Sequence, residues 1–264
     1  MENVERWISH SAMSDIGRHR AAVAELPSRV SALNAVIQGV IIHTDWLGAY
    51  GVGESCFDRV SRTTLPVADR LSLVLQRDDR SLRIGREPAR RTVGTCRDFA
   101  LVLCGFLRSK GIPARLRCGF ADYLGDGWED HWVCEYWDRE TQGWRLSDAQ
   151  MDEVLREKRK IAFDPADVPR RSFMKAGQAW AACRAGECDP EQFGHGAVRG
   201  LWFVKVNVVR DHYAINDREI SAWDTWRDAP KSKRTMSDHA CGLLDDIALR
   251  PEQAMVDANP DWQT

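Results

Sequence analysis

The sequence lacks long apolar segments. No uninterrupted apolar run approaches the roughly 18 residues that a membrane-spanning helix needs. The amino terminus, Met-Glu-Asn-Val-Glu-Arg-Trp-Ile, also lacks the basic residues followed by an apolar stretch that are typical of a secretory signal. We therefore expect a cytoplasmic protein that does not interact with a membrane.

The chain also has little net charge. Its 37 lysines and arginines nearly balance its 39 aspartates and glutamates, which leaves a formal charge of −2 at pH 7. Because nucleic acids attract surfaces with excess positive charge, we expect no nucleic-acid partner. Arginines cluster at Arg86, Arg90 and Arg91 and at Arg170 and Arg171. Such runs usually form a solvated face. The alternative for the first cluster is contact with an acidic substrate group.

Cysteine is too sparse for a fold that depends on disulfides. The 264 residues include eight cysteines, which a reducing compartment would keep as thiols. Each cysteine is therefore a candidate for a core or a catalytic role. Cys183, Cys188 and His195 could suggest a metal site. Their spacing matches no standard zinc module and no fourth ligand is evident, so we predict no metal.

Helical periodicity is clearest in three places. Apolar residues recur at helical spacing in 28–43 and in 66–77. In 99–107 they occur at i, i+3, i+4, i+7 and i+8, which predicts a helix that ends before Gly111. Cys96 lies three residues before this apolar series, in the expected first turn. The polar residues 78–94, which precede the cysteine, are expected to form an exposed connection.

Strand patterns follow the helix. Residues 114–120 alternate, with Leu116 and Cys118 on one side and arginines on the other. Residues 131–137 and 143–147 are expected to form a hairpin, because the five residues between them suit a short loop. From residue 149 onward we expect helices at 149–159, 172–184, 217–227 and 236–248, while 198–209 could be strand or helix.

This order predicts the α+β class. We expect a helix carrying the cysteine to pack on an antiparallel sheet, with extra helices at both ends of the chain. Residues 1–264 are expected to form a single domain. Within it, we expect a mainly helical amino-terminal part (1–80), a catalytic core segment (94–148) and a mainly helical carboxy-terminal extension (149–264).

Three residues in the core segment could act together in catalysis. A thiol at the start of a helix is stabilised as a thiolate by the exposed N–H groups there, which favours Cys96 as a nucleophile. His131, at the start of a predicted strand, could accept the thiol proton. Asp148, at the end of the next strand, could orient the histidine and stabilise its charged form. Each also has an ordinary structural alternative: a core thiol, a structural histidine and a helix cap.

Four motifs in this order resemble the transglutaminase-like superfamily. It is a papain-related group that includes transglutaminases, peptide N-glycanases and related cysteine proteases. The motifs are Gly-Thr-Cys-Arg-Asp-Phe-Ala (94–100), Arg-Ser-Lys-Gly-Ile-Pro-Ala-Arg-Leu-Arg-Cys-Gly-Phe (108–120), Asp-His-Trp-Val-Cys-Glu-Tyr (130–136) and Trp-Arg-Leu-Ser-Asp (144–148). The resemblance implies a transglutaminase-like, cysteine-proteinase-like core in which Cys96 is the nucleophile, His131 the base and Asp148 its orienting partner.

The resemblance further implies cysteine-dependent acyl transfer or hydrolysis at an amide bond, without a cofactor. The substrate would be a peptide, a protein or a small amide, and the sequence leaves the oligomeric state open. The alternative is a non-catalytic interaction module that has retained the fold.

Other residues of the expected site are less well marked. The backbone N–H of Cys96 is a candidate oxyanion donor, and the sequence indicates no clear second donor, with Trp46 and Tyr50 as alternatives. Trp46, Trp128 and Trp132 could line a substrate groove, although tryptophans more commonly pack in a core.

Overall fold

The computed structural model describes residues 4–57, 63–221 and 236–252. Within these residues the α-helices, in chain order, are α1 (Arg20–Ala24), α2 (Val30–Val40), α3 (Val67–Arg77), α4 (Cys96–Ser109), α5 (Glu153–Arg159), α6 (Ala176–Arg184), α7 (Leu201–Ile215) and α8 (Asp238–Leu249). The strands are β1 (Ile41–His43), β2 (Thr92–Gly94), β3 (Ala114–Ala121), β4 (Trp128–Asp138), β5 (Gly143–Ser147), β6 (Phe173–Lys175), β7 (Phe193–His195) and β8 (Val198–Arg199).

Short 3-10 helices connect several of these elements. They comprise Val4–Ile8, Gly17–His19, Thr44–Tyr50, Glu54–Cys56, Pro88–Arg90 and Pro190–Gln192. No helix among the described residues is both long and apolar enough to span a membrane. Helices and strands both contribute to the structure, and the predicted α+β class is confirmed.

The chain divides into two compact units. The first unit contains residues 1–116 and 132–169, and the second contains residues 117–131 and 170–264. Strands β3 and β4 each contribute residues to both units. The expectation that residues 1–264 form a single domain stays a prediction.

The first unit is built around α4. This helix packs against α1, α2 and α3, and its Cys104 Sγ lies 3.2 Å from Cys134 Sγ of β4. All the residues from Phe99 to Leu107 are buried. The helical periodicity predicted one buried face, and the structure buries the other face of the helix as well. Strands β4 and β5 form the predicted antiparallel hairpin, with Cys134 opposite Ser147 and Asp138 opposite Gly143.

The second unit contains a mixed sheet. The strand order is β6-β3-β4-β7-β8. β3 pairs with β6 and β7 pairs with β8 in antiparallel fashion, whereas β4 and β7 are parallel. Helices α6, α7 and α8 pack against one another around an apolar cluster that includes Trp180, Phe203 and Leu244. The sheet is therefore mixed rather than purely antiparallel as expected.

The arginines of β3 do not form a solvent-facing side. All eight residues of this strand are buried. Arg115 Nε donates to Glu135 Oε2 over 2.7 Å in the first unit. In the second unit, Arg117 forms two hydrogen bonds with the Asp211 carboxylate, of 2.9 and 2.5 Å. The alternating pattern is correct, but its polar side is buried because distant carboxylates neutralise the guanidinium groups.

The expected exposed connection at 78–94 is only partly exposed. Its last three residues form the buried strand β2. Arg86, which was expected to be solvated or to contact substrate, is 3% exposed. Its guanidinium donates to the carbonyl oxygens of four neighbouring residues in the sequence, at positions 78, 80, 81 and 84. The Arg86 side chain therefore holds the backbone of residues 78–84 together through these hydrogen bonds. The prediction of a solvated arginine at this position is wrong.

Several helix boundaries differ from the predicted ones. The helix predicted over 28–43 ends at Val40 because Ile41 is extended, with φ −119° and ψ 146°, and joins the ladder with β2. The ambiguous segment 198–209 is mainly helical, since α7 begins at Leu201. Of the helix predicted over 217–227, residues 217–221 are not helical and the rest lies outside the described residues. The helix predicted over 236–248 is confirmed by α8.

Candidate active site

Cys96 is the first residue of α4. Its thiol is partly exposed, while the helix that follows is buried from Arg97 to Arg108. Thr95 caps the helix with extended backbone angles, and its N–H donates to Asp98 Oδ2 over 2.8 Å. The first turn of a helix carries N–H groups that no helical carbonyl accepts, and these stabilise negative charge. Cys96 thus lies in the first turn of a helix, as predicted, and its activation as a thiolate stays a prediction.

Two buried arginines neutralise the carboxylate beside this turn. Arg70 of α3 lies 3.2 Å from Asp98 Oδ2, and Arg97 lies 3.2 Å from Asp98 Oδ1. Arg70 also donates to Val93 O, the carbonyl of a β2 residue. Two guanidinium groups and one carboxylate carry a net charge of +1. A thiolate at Cys96 therefore does not face an uncompensated negative charge, which would disfavour it.

Asp148 directly follows β5 and is 1% exposed. Its backbone N–H donates to Pro165 O over 2.8 Å, and its Oδ1 accepts from the Gln150 N–H over 3.0 Å. The structural alternative, a cap for the following helix, does not apply. That helix, α5, begins at Glu153, and Asp152 caps it by accepting from the Leu155 N–H.

Helix α2 fixes the residues on both sides of Asp148. Asn34 Nδ2 donates to Ser147 Oγ over 3.0 Å, and Gln38 Nε2 donates to Ala149 O over 3.1 Å. Asn34 and Gln38 are one helical turn apart, so one face of α2 contacts the side chain of the residue before the aspartate and the backbone carbonyl of the residue after it. The sequence analysis missed both residues. The available signal was a polar Asn34 beside Leu33 and Ile37 on the apolar side of a helix.

His131 belongs to the second unit and is the last residue before the division within β4. Its side chain is 1% exposed, and the Tyr123 ring meets its imidazole edge to face, with ring centroids 6.0 Å apart. The preceding residue, Asp130, is also held in place. Asn207 Nδ2 of α7 donates to Asp130 Oδ1 over 2.9 Å, and Arg210 Nη1 donates to Asp130 Oδ2 over 3.3 Å.

These three residues therefore occupy strongly determined positions. Cys96 and Asp148 lie in the first unit, and His131 lies in the second. Their assembly into one triad stays a prediction.

Comparison with known proteins agrees with the resemblance found in the motifs. Residues 57–149 match the family model of the transglutaminase-like superfamily. The chain carries a transglutaminase-like core. This core includes Cys96, His131 and Asp148, and it ends one residue after the aspartate.

One solved structure is similar to the chain. It is described as "a Putative Cysteine Protease from Cytophaga hutchinsonii", with 16% sequence identity and a TM-score of 0.38. The similarity covers 66% of this chain and 46% of that chain, so it spans less than half of that protein's length. The comparison with curated proteins gives no match.

The tryptophans predicted to line a substrate groove have different surroundings. Trp46, upstream of the transglutaminase-like core, is partly exposed, and the Arg159 guanidinium lies 4.6 Å from its ring centroid. Trp128 stacks on Phe193 with the ring planes 12° apart. Trp132 is 1% exposed, so its side chain packs in the interior. The substrate-binding role of Trp46, Trp128 and Trp132 stays a prediction.

Most of the other cysteines differ from Cys96 in burial. Cys104 and Cys134 are buried together, and burial raises the pKa of the Cys134 thiol. Partial burial and the nearby Cys188 raise the pKa of Cys183 to about 11. Cys56 is exposed. Among the described residues no group of three or more histidine, cysteine, aspartate or glutamate side chains is arranged to hold a metal ion.

Proposed function

We propose that this protein is a cysteine-dependent enzyme that attacks an amide bond and forms an acyl-enzyme. Cys96 is the nucleophile, His131 the proton acceptor and donor, and Asp148 the residue that orients the histidine. The observation that carries this proposal is a partly exposed thiol at the start of a buried helix, within a transglutaminase-like core. The buried arginines around Asp98 add a local positive charge that favours the thiolate.

The proposed reaction has two halves. His131 takes the proton from the Cys96 thiol, and the Sγ electron pair forms a bond to the amide carbonyl carbon. When the tetrahedral intermediate collapses, the C–N bond breaks and the leaving amine receives the proton from the imidazolium. The product is a thioester on Cys96. Water then attacks the thioester to give an acid, or a primary amine attacks it to give a new amide. Either attack regenerates the thiol.

Three structural features support the roles of His131 and Asp148. Alternation along β4 puts His131 on the same strand face as Val133 and Glu135. Pairing of Cys134 with Ser147 ends the β4–β5 ladder one residue before Asp148. The hydrogen bonds from α2 to residues 147 and 149 hold the aspartate backbone in place. Catalysis by positioned groups depends on such rigid supports.

Thiol labelling across pH tests the activated nucleophile. A thiol that its surroundings stabilise as the thiolate is ionised at a pH where ordinary thiols are not, although the intrinsic nucleophilicity of such a thiolate is also lower. We therefore expect Cys96 to react with iodoacetamide roughly tenfold or more faster than the exposed Cys56 at pH 6. The buried Cys104 and Cys134 should react only after unfolding. Equal rates for Cys96 and Cys56 would contradict the proposal.

Turnover of glutamine-containing peptides with and without an added primary amine tests the reaction class. Ammonia release without the amine indicates hydrolysis, and incorporation of the amine indicates transfer. Cys96→Ala and His131→Ala should abolish both reactions, whereas the matched control Cys56→Ala should retain them. Turnover that survives Cys96→Ala overturns the assignment. A folded protein whose Cys96 shows no enhanced labelling and no turnover supports the alternative of a non-catalytic interaction module.

A further inference from the structure

The proposed reaction requires hydrogen-bond donors for the oxygen of the tetrahedral intermediate, and the backbone N–H of Cys96 supplies one. We propose that His43 supplies the second, through Nε2–H, and this inference rests on the proposed function. His43 lies upstream of the transglutaminase-like core and contributes to none of the motifs in the sequence. Four observations within the first unit carry the inference.

The β1–β2 ladder brings His43 beside the nucleophile. In this parallel pair, Ile41 lies opposite Thr92 and His43 lies opposite Gly94. Neighbouring strands are about 4.8 Å apart, so the His43 backbone runs alongside the chain only two residues before Cys96. His43 and Gly94 are 51 residues apart in sequence (94 − 43), which explains why motif spacing did not reveal the contact.

The side-chain direction follows from the neighbours of Gly94. A Cβ on Gly94 would lie 3.1 Å from both Asp98 Cβ and Ile41 Cγ2. The first turn of α4 therefore covers the face of the ladder that carries the Ile41 side chain. Successive strand residues point to opposite faces, so His43 shares this face with Ile41. Ile42 points the other way, into an apolar cluster with Leu47 and Val93.

The tautomer of His43 is determined by a backbone hydrogen bond. The N–H of Asp45 donates to His43 Nδ1 over 3.1 Å. Nδ1 must therefore carry a lone pair, which leaves the proton of the neutral imidazole on Nε2. The side chain is 8% exposed. A fixed N–H donor in a site from which water is largely excluded stabilises a developing negative charge more strongly than it would in water.

The two donors considered from the sequence, Tyr50 and Trp46, contact α5 and its capping residue. The Tyr50 hydroxyl donates to Asp152 Oδ2 over 2.8 Å, and burial, followed by the negative charge of Asp152, raises the pKa of Tyr50 well above its usual value. The Trp46 ring lies under the Arg159 guanidinium. Asp152 caps α5 and Arg159 is its last residue. By contrast, β1, which contains His43, pairs with β2, and β2 leads directly into α4.

In the proposed step, His43 donates a hydrogen bond and transfers no proton. When Cys96 Sγ bonds to the carbonyl carbon, the C=O π electrons move to the oxygen. The resulting oxyanion accepts hydrogen bonds from Cys96 N–H and His43 Nε2–H. On collapse, these electrons reform the C=O bond as the amine leaves.

Two reactions of the same thiol separate this role from the alternatives. Acylation by p-nitrophenyl acetate passes through a tetrahedral oxyanion, whereas alkylation by iodoacetamide is a direct displacement and does not. We expect His43→Ala to lower the rate of Cys96 acetylation by about 10²–10³-fold. The rate and the pH midpoint of alkylation should stay within about twofold and a few tenths of a pH unit of the wild-type values. His43→Gln, which restores an N–H donor, should recover much of the acetylation rate.

His239→Ala serves as a matched control, because His239 is an exposed histidine of α8 in the second unit. Mass spectrometry identifies the acetylated cysteine, and circular dichroism reports folding. If His43→Ala does not fold, His43→Phe keeps a ring and removes the donor for the same comparison. Acetylation within threefold of wild type in these variants overturns the inference alone. Parallel loss of acetylation and alkylation also overturns it, because His43 then acts on the thiolate. A wild-type protein that is not acetylated at Cys96 overturns the proposed function itself.

Discussion

Cys96 depends on charged side chains that its own motif only partly reveals. Asp98 is in the motif, and its carboxylate accepts from the Thr95 N–H. Arg97 is also in the motif, but Arg70 comes from α3, 26 residues upstream (96 − 70), and all three ionic side chains are buried. Such a group is stable only when its charges are paired. The same group fixes the helix start and sets the electrostatic environment of the thiol.

Removing the carboxylate from this group should therefore destabilise the fold. Asp98→Ala removes the carboxylate that lies beside two buried guanidinium groups, and it removes one half of the capping box of α4. We expect a loss of about 3–5 kcal/mol in the free energy of unfolding, measured by urea denaturation at neutral pH.

Asp79→Ala is the matched control, because Asp79 is exposed and its substitution should change stability by less than about 0.5 kcal/mol. If Asp98→Ala is too unstable to purify, Asp98→Asn keeps the shape and removes only the charge. Asp98 variants as stable as the Asp79 control would show that the buried ion group does not hold α4.

Residue patterns predicted the faces of the elements better than they predicted what those faces contact. Leu116 and Cys118 are buried as expected, yet the arginines between and beside them are buried too. Their partners, Glu135 and Asp211, are 20 and 94 residues away in sequence. An arginine that alternates with apolar residues normally faces water. Only the fold shows that a carboxylate neutralises it.

Among the elements, α2 has a role that its amphipathic pattern did not indicate. The pattern correctly predicted the helix and its buried residues Leu33, Ile37 and Val40. The polar contacts made by Asn34 and Gln38 give this helix a second function, which is to position the backbone around Asp148. Because Asn34 and Ser147 are 113 residues apart, no local signal could connect them.

A double-mutant cycle tests the contact between α2 and the end of β5. Asn34→Ala should leave the buried Ser147 hydroxyl without its partner and lower the free energy of unfolding by about 1–3 kcal/mol. Removing both partners is less costly than removing one, so adding Ser147→Ala should recover part of the loss.

Thermal and urea unfolding of the two single variants and the double variant give the coupling energy, which we expect to be at least about 0.5 kcal/mol. Gln38→Ser serves as a comparison that removes the neighbouring contact to Ala149 O. Additive effects of the Asn34 and Ser147 substitutions would contradict the proposed coupling.

At the scale of the whole molecule, the transglutaminase-like core of residues 57–149 depends on the rest of the chain. In the first unit, α4 packs against α1 and α2, both of which precede residue 57. In the second unit, β3 pairs with β6 and β4 pairs with β7, both of which follow residue 149. Residues outside the core therefore cover the helix and continue the sheet.

A fragment of residues 57–149 should consequently fail to fold, although it contains all three proposed catalytic residues. Without α2 and its neighbours, the apolar surface of α4 is exposed to water, and a chain of this size cannot offset its conformational entropy. We expect weak helical circular dichroism and no cooperative urea transition. The full-length chain measured in parallel should unfold cooperatively. A cooperative transition in the fragment would show that the core is an independent domain.

The sequence by itself determined the α+β class, the positions of α2, α3, α4 and the β4–β5 hairpin, and the superfamily of the core. These features follow from local periodicity, helix-ending residues and motifs that occur close together in the chain. Only the tertiary structure revealed the β1–β2 pairing that places His43 opposite Gly94 and the hydrogen bonds from α2 to residues 147 and 149, on either side of Asp148. It also revealed the burial of Arg70, Arg86, Arg115 and Arg117. These contacts join residues far apart in sequence or depend on buried counter-charges and carbonyl groups, and hydrophobic periodicity carries no information about such partners.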